Sequence, residues 1–219
     1  MARRTVLLVD DHPAIRMGVR LMLERSERYT VCGEAGSASE ALAEVKRLQP
    51  ELAILDLSMD GDDGPQLVRQ LRERAANMQV LVYSVGNELV YGPRCLKAGA
   101  SGYLMKHHPL PAVLEALDAI AAGHTPVSEQ LKTYMLLNAD IAKTGKSEQH
   151  VAVASLTDRE LQVLRHLGVG RSTAEIAALL CVSPKTIGAH RENLKRKLSL
   201  SNANQLASAA ASMVAEGVL

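Results

Sequence analysis

The sequence predicts an α/β chain: a doubly wound, five-stranded parallel sheet followed by a second, smaller all-α domain of four helices. Three observations carry that expectation. Over the first 122 residues, short and continuously apolar runs alternate with amphipathic segments, as expected of parallel strands buried on both faces and joined by covering helices. Acidic, hydroxyl and lysine side chains fall just beyond the carboxyl ends of those runs. From Leu156 onward the pattern is helical only, with dense capping punctuation.

Taken in order, the strand candidates are Val6–Val9, a weaker run at Tyr29–Cys32, Leu52–Leu55, Val80–Tyr83 and a weaker run at Gly102–Met105. Their brevity and lack of alternation separate them from half-buried antiparallel strands. Between them lie apolar positions at helical spacing. Ile15, Val19, Met22 and Leu23 follow the first strand; Leu110, Val113, Leu114, Leu117 and Ile120 follow the fifth. Gly123 is placed to close that last helix. These features delimit a domain over residues 1–124. Residues 125–154 read as a linker with a short helix near 129–138 and an aperiodic stretch, Lys143-Thr144-Gly145-Lys146-Ser147.

Residues 155–219 form the second domain. Thr157-Asp158-Arg159-Glu160 and Ser172-Thr173-Ala174-Glu175 fit the reciprocal cap in which a hydroxyl and a glutamate each satisfy a free amide. Ser183-Pro184 supplies an N-cap with proline in the first turn. Gly168 and Gly170 stop the first helix. Helices are expected near 157–167, 172–180, 184–198 and 202–215.

Composition excludes several classes. Of 219 residues, 47% are apolar and 22% charged, which argues against disorder. Phe and Trp are absent, so the cores must be aliphatic. No apolar run approaches the roughly 18 residues that span a bilayer, which points away from a membrane partner. Cys32, Cys95 and Cys181 are too scattered for a disulfide framework or zinc site, and a cytoplasmic location is expected. Residues 1–124 carry 14 Lys/Arg and 16 Asp/Glu, a net −2; residues 155–219 carry 8 and 5, a net +3. The basic second half is the one suited to a polyanion.

The chemistry gathers at one sheet edge. Asp10 and Asp11 end the first predicted strand, Asp56 the third and Ser84 the fourth, and Lys106 follows the fifth. In an open parallel sheet, ligands bind at this edge. Carboxylates converging there repel by a few kcal/mol per pair at an effective dielectric of about 20. A hard divalent cation, most naturally Mg²⁺, relieves that repulsion with oxygen ligands. A carboxylate beside Mg²⁺ can attack a phosphoryl donor, and Lys106 and Ser84 suit the added oxygens. A lone strand-end Asp is more often a helix cap; the conjunction of five such residues is what carries the reading.

Asp10-Asp11-His12-Pro13, Leu55-Asp56-Leu57-Ser58-Met59, Gly64, Ser84 and Gly99-Ala100-Ser101-Gly102-Tyr103-Leu104-Met105-Lys106 resemble, in order and spacing, the receiver domains of two-component response regulators. The resemblance covers nearly all of residues 5–122. It implies a flavodoxin-like fold, Asp56 as phosphoacceptor, and Asp10 and Asp11 as an acid pocket. Ser58 would offer its carbonyl to Mg²⁺, Ser84 and Tyr103 would form a conformational switch, and Lys106 would sense the phosphate. One departure is Asp60, which stands where the family usually has proline, in the stretch Asp60-Gly61-Asp62-Asp63. His12, His107 and His108 are assigned no chemistry.

Ser172–Leu198 reads as helix, tight turn, helix, with apolar contacts from Ile176, Ala177, Leu180, Val182, Ile187, Leu194 and Leu198. The second helix carries Lys185, Arg191, Lys195, Arg196 and Lys197 against one acid, Glu192. Such a helix can enter a major groove while flanking cations hold phosphates. Leu156-Thr157-x-Arg159-Glu160, Glu175-Ile176-Ala177, Val182-Ser183-x-Lys185-Thr186-Ile187 and His190-Arg191-x-Asn193-Leu194 resemble the LuxR-type helix-turn-helix. Joined to a receiver, this pattern is that of the NarL/FixJ-type response regulators. Cys181 occupies a turn position where that family often has glycine. By this resemblance Lys185, Thr186, Gly188, Ala189, Arg191, Glu192, Lys195 and Arg196 face double-stranded DNA. Gly188, Ala189 and Glu192 cannot make the bidentate arginine–guanine contact, so phosphate contacts and DNA shape must supply much of the affinity.

The function expected is transcriptional regulation switched by phosphorylation of Asp56 by a sensor histidine kinase, with a homodimer as the active form. Two other readings stand beside it: a Mg²⁺-dependent phosphotransferase or phosphatase on the same sheet, and a phosphorylation-independent regulator or adaptor with a degenerate receiver. No second acid–base pair or substrate domain supports the enzyme, so a non-enzymatic regulator is expected.

Overall fold

The computed structural model describes residues 3–59, 64–141, 153 and 155–219. The chain divides into two compact units, Met1–Met135 and Leu136–Leu219. The division falls within the segment that reads as a linker.

In the first unit, five parallel strands alternate with helices: β1 Arg4–Val9, α1 Pro13–Arg25, β2 Tyr29–Ala35, α2 Ala38–Leu48, β3 Leu52–Leu55, α3 Gly64–Arg74, β4 Gln79–Ser84, α4 Glu88–Ala98, β5 Gly102–Met105 and α5 Leu110–Ala121. The strand order is β2-β1-β3-β4-β5, with every neighbouring pair parallel. This is the doubly wound sheet that the apolar runs predict. Alternate residues face opposite layers. Val6, Leu8, Leu52, Ile54, Leu81 and Tyr83 pack with Val19, Leu23, Val113, Leu117 and Ile120 of α1 and α5. The intervening Leu7, Val9, Ala53, Leu55, Val80 and Val82 are buried as well. The core is aliphatic, as the composition requires.

β2 runs three residues further than its apolar pattern. Pairing passes from Val6–Val31 to Leu7–Gly33, so Cys32 is an extra residue in a bulge. A bulge shifts which side chains point inward, and that breaks the periodicity on which the sequence expectation rests. After α5, Gly123 takes a left-handed φ of 84°. The chain then enters α6, Glu129–Ile141, three residues longer at its end than expected.

In the second unit the helices are α7 Asp158–Gly168, α8 Thr173–Leu179, α9 Pro184–Lys197 and α10 Ala203–Ala215. Both reciprocal caps form, at Thr157/Glu160 and Ser172/Glu175, and Ser183 accepts from the Thr186 amide. Leu161, Val163, Leu164, Ile176, Ile187, Leu194, Leu206 and Ala210 make the core. Gly168 permits a close helix contact in it: a Cβ there would lie 2.6 Å from the Ala210 carbonyl oxygen.

Candidate functional site

Parallel strands that end together deliver their next residues to one place. Asp10 follows β1, Asp56 follows β3, Ser84 ends β4 and Lys106 follows β5, and all four meet at the carboxyl edge of the sheet. Asp56 is 1% exposed, Asp10 6% and Ser84 fully buried. Lys106 Nζ lies 2.6 Å from Asp56 Oδ2 and 2.7 Å from Asp10 Oδ2. The Ser84 hydroxyl donates to Asp56 Oδ1 at 2.7 Å, and the Ser58 amide donates to the same oxygen at 3.0 Å. Ser84 Oγ in turn accepts from the Leu57 amide at 3.3 Å and lies 3.2 Å from Ser58 Oγ.

Burial by itself would lower the Lys106 pKa, but hydrogen bonds and charge attraction from Asp10 and Asp56 outweigh it and raise the value. Lys106 is therefore a fixed cation between two buried carboxylates. Removing either sign leaves the other uncompensated, the costly case for buried charges.

Asp10 is anchored through its backbone as well. Its amide donates to Ala35 O at 3.0 Å. Its carbonyl accepts from Arg16 Nη1 at 2.5 Å, and Arg16 is itself held by Glu34 at 2.9 Å. Arg16 and Glu34 are absent from the expected site residues. Nothing in their local pattern marks them, because they act on a backbone atom across the β1–β2 pair.

One ligand atom each from Asp10, Asp11, His12 and Asp56 lies within 4.8 Å of all the others. Three hard carboxylate donors in one concavity fit a hard divalent cation of the Mg²⁺ type. His12 is the addition to the expected set: its Nδ1 is 2.7 Å from Asp11 Oδ1, and its amide donates to Asp10 Oδ1 at 2.8 Å. A search for His or Cys partners misses it because its partner is the adjacent carboxylate. Residues 60–63, the acidic departure, lie outside the described residues.

Tyr103 is buried in β5, and its hydroxyl donates to Gly86 O at 2.7 Å. Burial pushes its pKa well above the usual phenol value. Gly86, two residues beyond Ser84, also donates its amide to Ser84 Oγ at 3.4 Å. The two expected switch residues thus both contact Gly86, Tyr103 through its carbonyl and Ser84 through its amide.

In the second unit, α8, the turn at 180–183 and α9 form a helix-turn-helix. Arg159 Nη2 donates to Leu180 O at 2.5 Å and pins the turn. Within the turn, Cys181 holds a left-handed φ of 51°. Ile187 and Leu194 face the core, which turns Lys185, Thr186, Ala189, Glu192 and Arg196 outward on one stripe. Gly188, Arg191 and Lys195 flank it, half-buried. The cations are not equivalent. Arg191 donates to Thr173 Oγ1 at 2.8 Å, Lys195 lies 2.9 Å from Glu192 Oε2, and Arg196 donates to Asn193 Oδ1 at 3.0 Å. Lys197 turns inward to the buried Glu160 carboxylate at 2.6 Å.

A doubly wound sheet with a strand-edge carboxylate pocket, continued into a helix-turn-helix, defines a two-domain signalling regulator. The comparisons with known proteins agree at both ends. Residues 6–118 match the response regulator receiver domain, and residues 154–210 match the bacterial regulatory proteins of the luxR family. The chain belongs to the two-component response regulators, in the class that joins a receiver to a luxR-type DNA-binding helix-turn-helix. It is similar to a putative transcriptional regulator of Pseudomonas aeruginosa, 36% identical over 204 residues, with 92% of this chain and 93% of that protein covered. The nitrate/nitrite response regulator NarL of Escherichia coli is 33% identical over 198 residues, covering 90% and 89%. Among solved structures, RcsB from Salmonella enterica serovar Typhimurium, bound to promoter P1flhDC in the presence of the phosphomimetic BeF3−, matches with a TM-score of 0.70. It is 25% identical, covering 96% of this chain and all of that one.

Proposed function

We propose that this chain is a transcriptional regulator switched by phosphorylation of Asp56, with a receiver over residues 1–124 joined by 125–154 to a DNA-binding domain over 155–219. The observation that carries the reading is a buried carboxylate, Asp56, gripped by Lys106 on one oxygen and by Ser84 and Ser58 on the other. The phosphoryl donor is a phosphohistidine on a partner sensor kinase. An Asp56 oxygen attacks phosphorus, the donor's P–N bond breaks, and the imidazole leaves with the bonding pair.

Asp10, Asp11, Asp56 and the Ser58 carbonyl would hold Mg²⁺, which supplies charge neutralisation for the transferring oxygens. Lys106 keeps its proton throughout and passes its hydrogen bonds from Asp56 to the phosphoryl group. The Ser84 hydroxyl follows the same oxygens, which withdraws it from the resting carboxylate. Tyr103, tied to the loop after Ser84, then repacks and shifts a pre-existing equilibrium.

On the DNA side, Lys185, Thr186, Gly188, Ala189, Arg191, Glu192, Lys195 and Arg196 are the proposed contact set, in a cytoplasmic protein. One recognition helix spans only a few base pairs, so paired half-sites on a homodimer are required for specificity. The promoter-bound RcsB structure, obtained with a phosphomimetic, supports both halves of the reading.

The test is chemical. Incubation with acetyl phosphate and Mg²⁺ adds one phosphoryl group by intact mass, and Asp56→Asn or EDTA prevents it. Undiminished labelling of the Asn variant sinks the assignment.

A further inference from the structure

The segment that follows α5 does not leave the first unit directly. It runs back along the free edge of β5, where the Tyr103 amide donates to Pro126 O at 2.9 Å. Two residues on, the Ser128 hydroxyl donates to the Glu88 carboxylate, which is 8% exposed at the start of α4. Ser128 Oγ also accepts from the Leu131 amide at 2.9 Å and so caps α6. Leu131, fully buried, then lies against α4.

The receiving surface is shaped for this segment. A Cβ on Gly102 would lie 2.6 Å from Pro126 Cγ and 2.9 Å from its carbonyl oxygen. A Cβ on Gly92 would lie 2.5 Å from a Leu131 methyl. Gly102 accepts the segment because it carries no side chain, since the Pro126 backbone stands in the way of one; at Gly92 a side chain would displace the Leu131 methyl. Glu88 is the one buried carboxylate of α4, and the hydroxyl it accepts from caps α6.

Each anchor touches the proposed switch. Tyr103 holds the strap by its amide and the β4–α4 loop by its hydroxyl. Glu88 stands two residues beyond Gly86, whose carbonyl Tyr103 grips and whose amide Ser84 accepts. Ser84 and Glu88 are four residues apart across one loop, so movement of Ser84 toward a phosphoryl group has a short covalent route through Gly86 and Asn87 to Glu88. At rest the Ser128 hydroxyl both donates to Glu88 and accepts from the Leu131 amide, and hydrogen bonds weaken steeply with misalignment. Displacement of Glu88 therefore loosens this arrangement and cannot improve it.

We infer that residues 126–131 form a latch, in which Ser128 on Glu88 and Leu131 on Gly92 hold the start of α6 against α4, and that phosphorylation at Asp56 releases it. The inference rests on the phosphoacceptor reading of the pocket and adds the element through which that event leaves the sheet. Its occupant is this chain's own segment, and its trigger is local: one hydroxyl, one carboxylate and one leucine methyl.

Amide hydrogen exchange on the full-length chain tests it, since local opening is read directly as lost protection. With beryllofluoride and Mg²⁺ as the probe, exchange at Tyr103, Leu131 and Lys132 is expected to accelerate about tenfold, while Val6–Val9 stays unchanged. Ser128→Ala and Leu131→Ala should each produce the same acceleration without the probe. Because coupling is reciprocal, both variants should also bind beryllofluoride more tightly by a similar factor. Bound beryllofluoride with unaltered exchange at those amides overturns the latch and leaves the pocket reading intact. Failure to bind beryllofluoride, with no phosphoryl group gained from acetyl phosphate, overturns the pocket reading and the coupling together. Faster exchange in both variants without tighter probe binding leaves a structural contact only, and also overturns the latch as a switch.

Discussion

The pocket at the sheet edge and the outer face of α9 are both polar, but they are built on opposite terms. In the pocket the central groups, Asp10, Asp56 and Ser84, are buried and committed: Asp56 uses both oxygens, and Lys106 bridges the carboxylates that follow two different strands. On α9 the cations pair with near neighbours, Lys195 with Glu192 and Arg196 with Asn193, three residues away on the same helix. Exposed pairs of that kind are worth a few tenths of a kcal/mol and exchange readily for a better partner. The first arrangement stores energy that one covalent event can redirect. The second leaves charges available to phosphates at almost no cost.

The widest gap between the two regions should open on removing Lys106. Lys106→Met leaves Asp10 and Asp56 buried together without a counterion, and breaking a buried pair costs about 3 to 5 kcal/mol. Urea unfolding of the first unit is expected to show a loss of that order without divalent cations, partly restored by Mg²⁺. Lys195→Ala on α9 should leave stability within about 0.5 kcal/mol. Comparable losses in the two variants would erase the distinction.

Glu160 is the exception that sharpens it, a buried ionic contact in the second unit. Burial alone would raise its pKa, but the Lys197 ammonium and the Thr157 amide and hydroxyl outweigh this and hold it below the ordinary glutamate value. A folded value below the unfolded one contributes stability above the unfolded pKa, and that stability is lost as pH falls through the folded value. Glu160→Gln should therefore cost about 1 to 2 kcal/mol at neutral pH, and the difference from wild type should shrink as pH falls below the ordinary glutamate range and through the lower folded value. A pH-independent difference would mean that the Glu160 charge is not what Lys197 holds.

Much of this contrast was legible in the sequence, and the unread part has definite causes. Strand ends are locatable because Val6–Val9, Leu52–Leu55 and Val80–Tyr83 are continuously apolar, so Asp10, Asp56 and Ser84 fall at their termini. The apolar pattern of β2 stops short of the strand's end because Cys32 sits in a bulge. Composition groups Lys197 with the surface cations, whereas the phase set by Ile187 and Leu194 places position 197 beside the core-facing side and separates it from them. The Ser128–Glu88 contact joins residues 40 apart, and the Arg16 contact is to a backbone oxygen. Neither leaves a periodic or compositional trace.

On the DNA face, Lys195→Ala should weaken binding to all sequences alike and reduce the salt slope by about one. Glu192→Ala should change which base is preferred at one position of each half-site, since a carboxylate there can accept from cytosine. It also frees Lys195 from its 2.9 Å partner, so the two substitutions should not be additive. Selection from randomised operators decides the roles: a shifted base preference in the Lys195 variant, with none in the Glu192 variant, would reverse them.

The smallest effect expected is at Cys181, and it tests whether the helix-turn-helix carries backbone strain while its surface stays soft. Its φ of 51° lies in the left-handed region, which costs a side-chain-bearing residue about 1 kcal/mol or more relative to glycine. The side chain is exposed, and its nearest polar contact, Sγ to Ala178 O, is long at 3.9 Å, so little packing is lost on removing it. Glycine also gains freedom in the unfolded chain, which offsets part of the relief. Cys181→Gly should therefore stabilise the second unit by about 0.5 kcal/mol, read as a shift in its urea midpoint with an unchanged slope. Cys181→Ala, which keeps the Cβ and hence the strain, should not. Equal stabilisation by both would trace the effect to the thiol and leave the turn geometry without a cost.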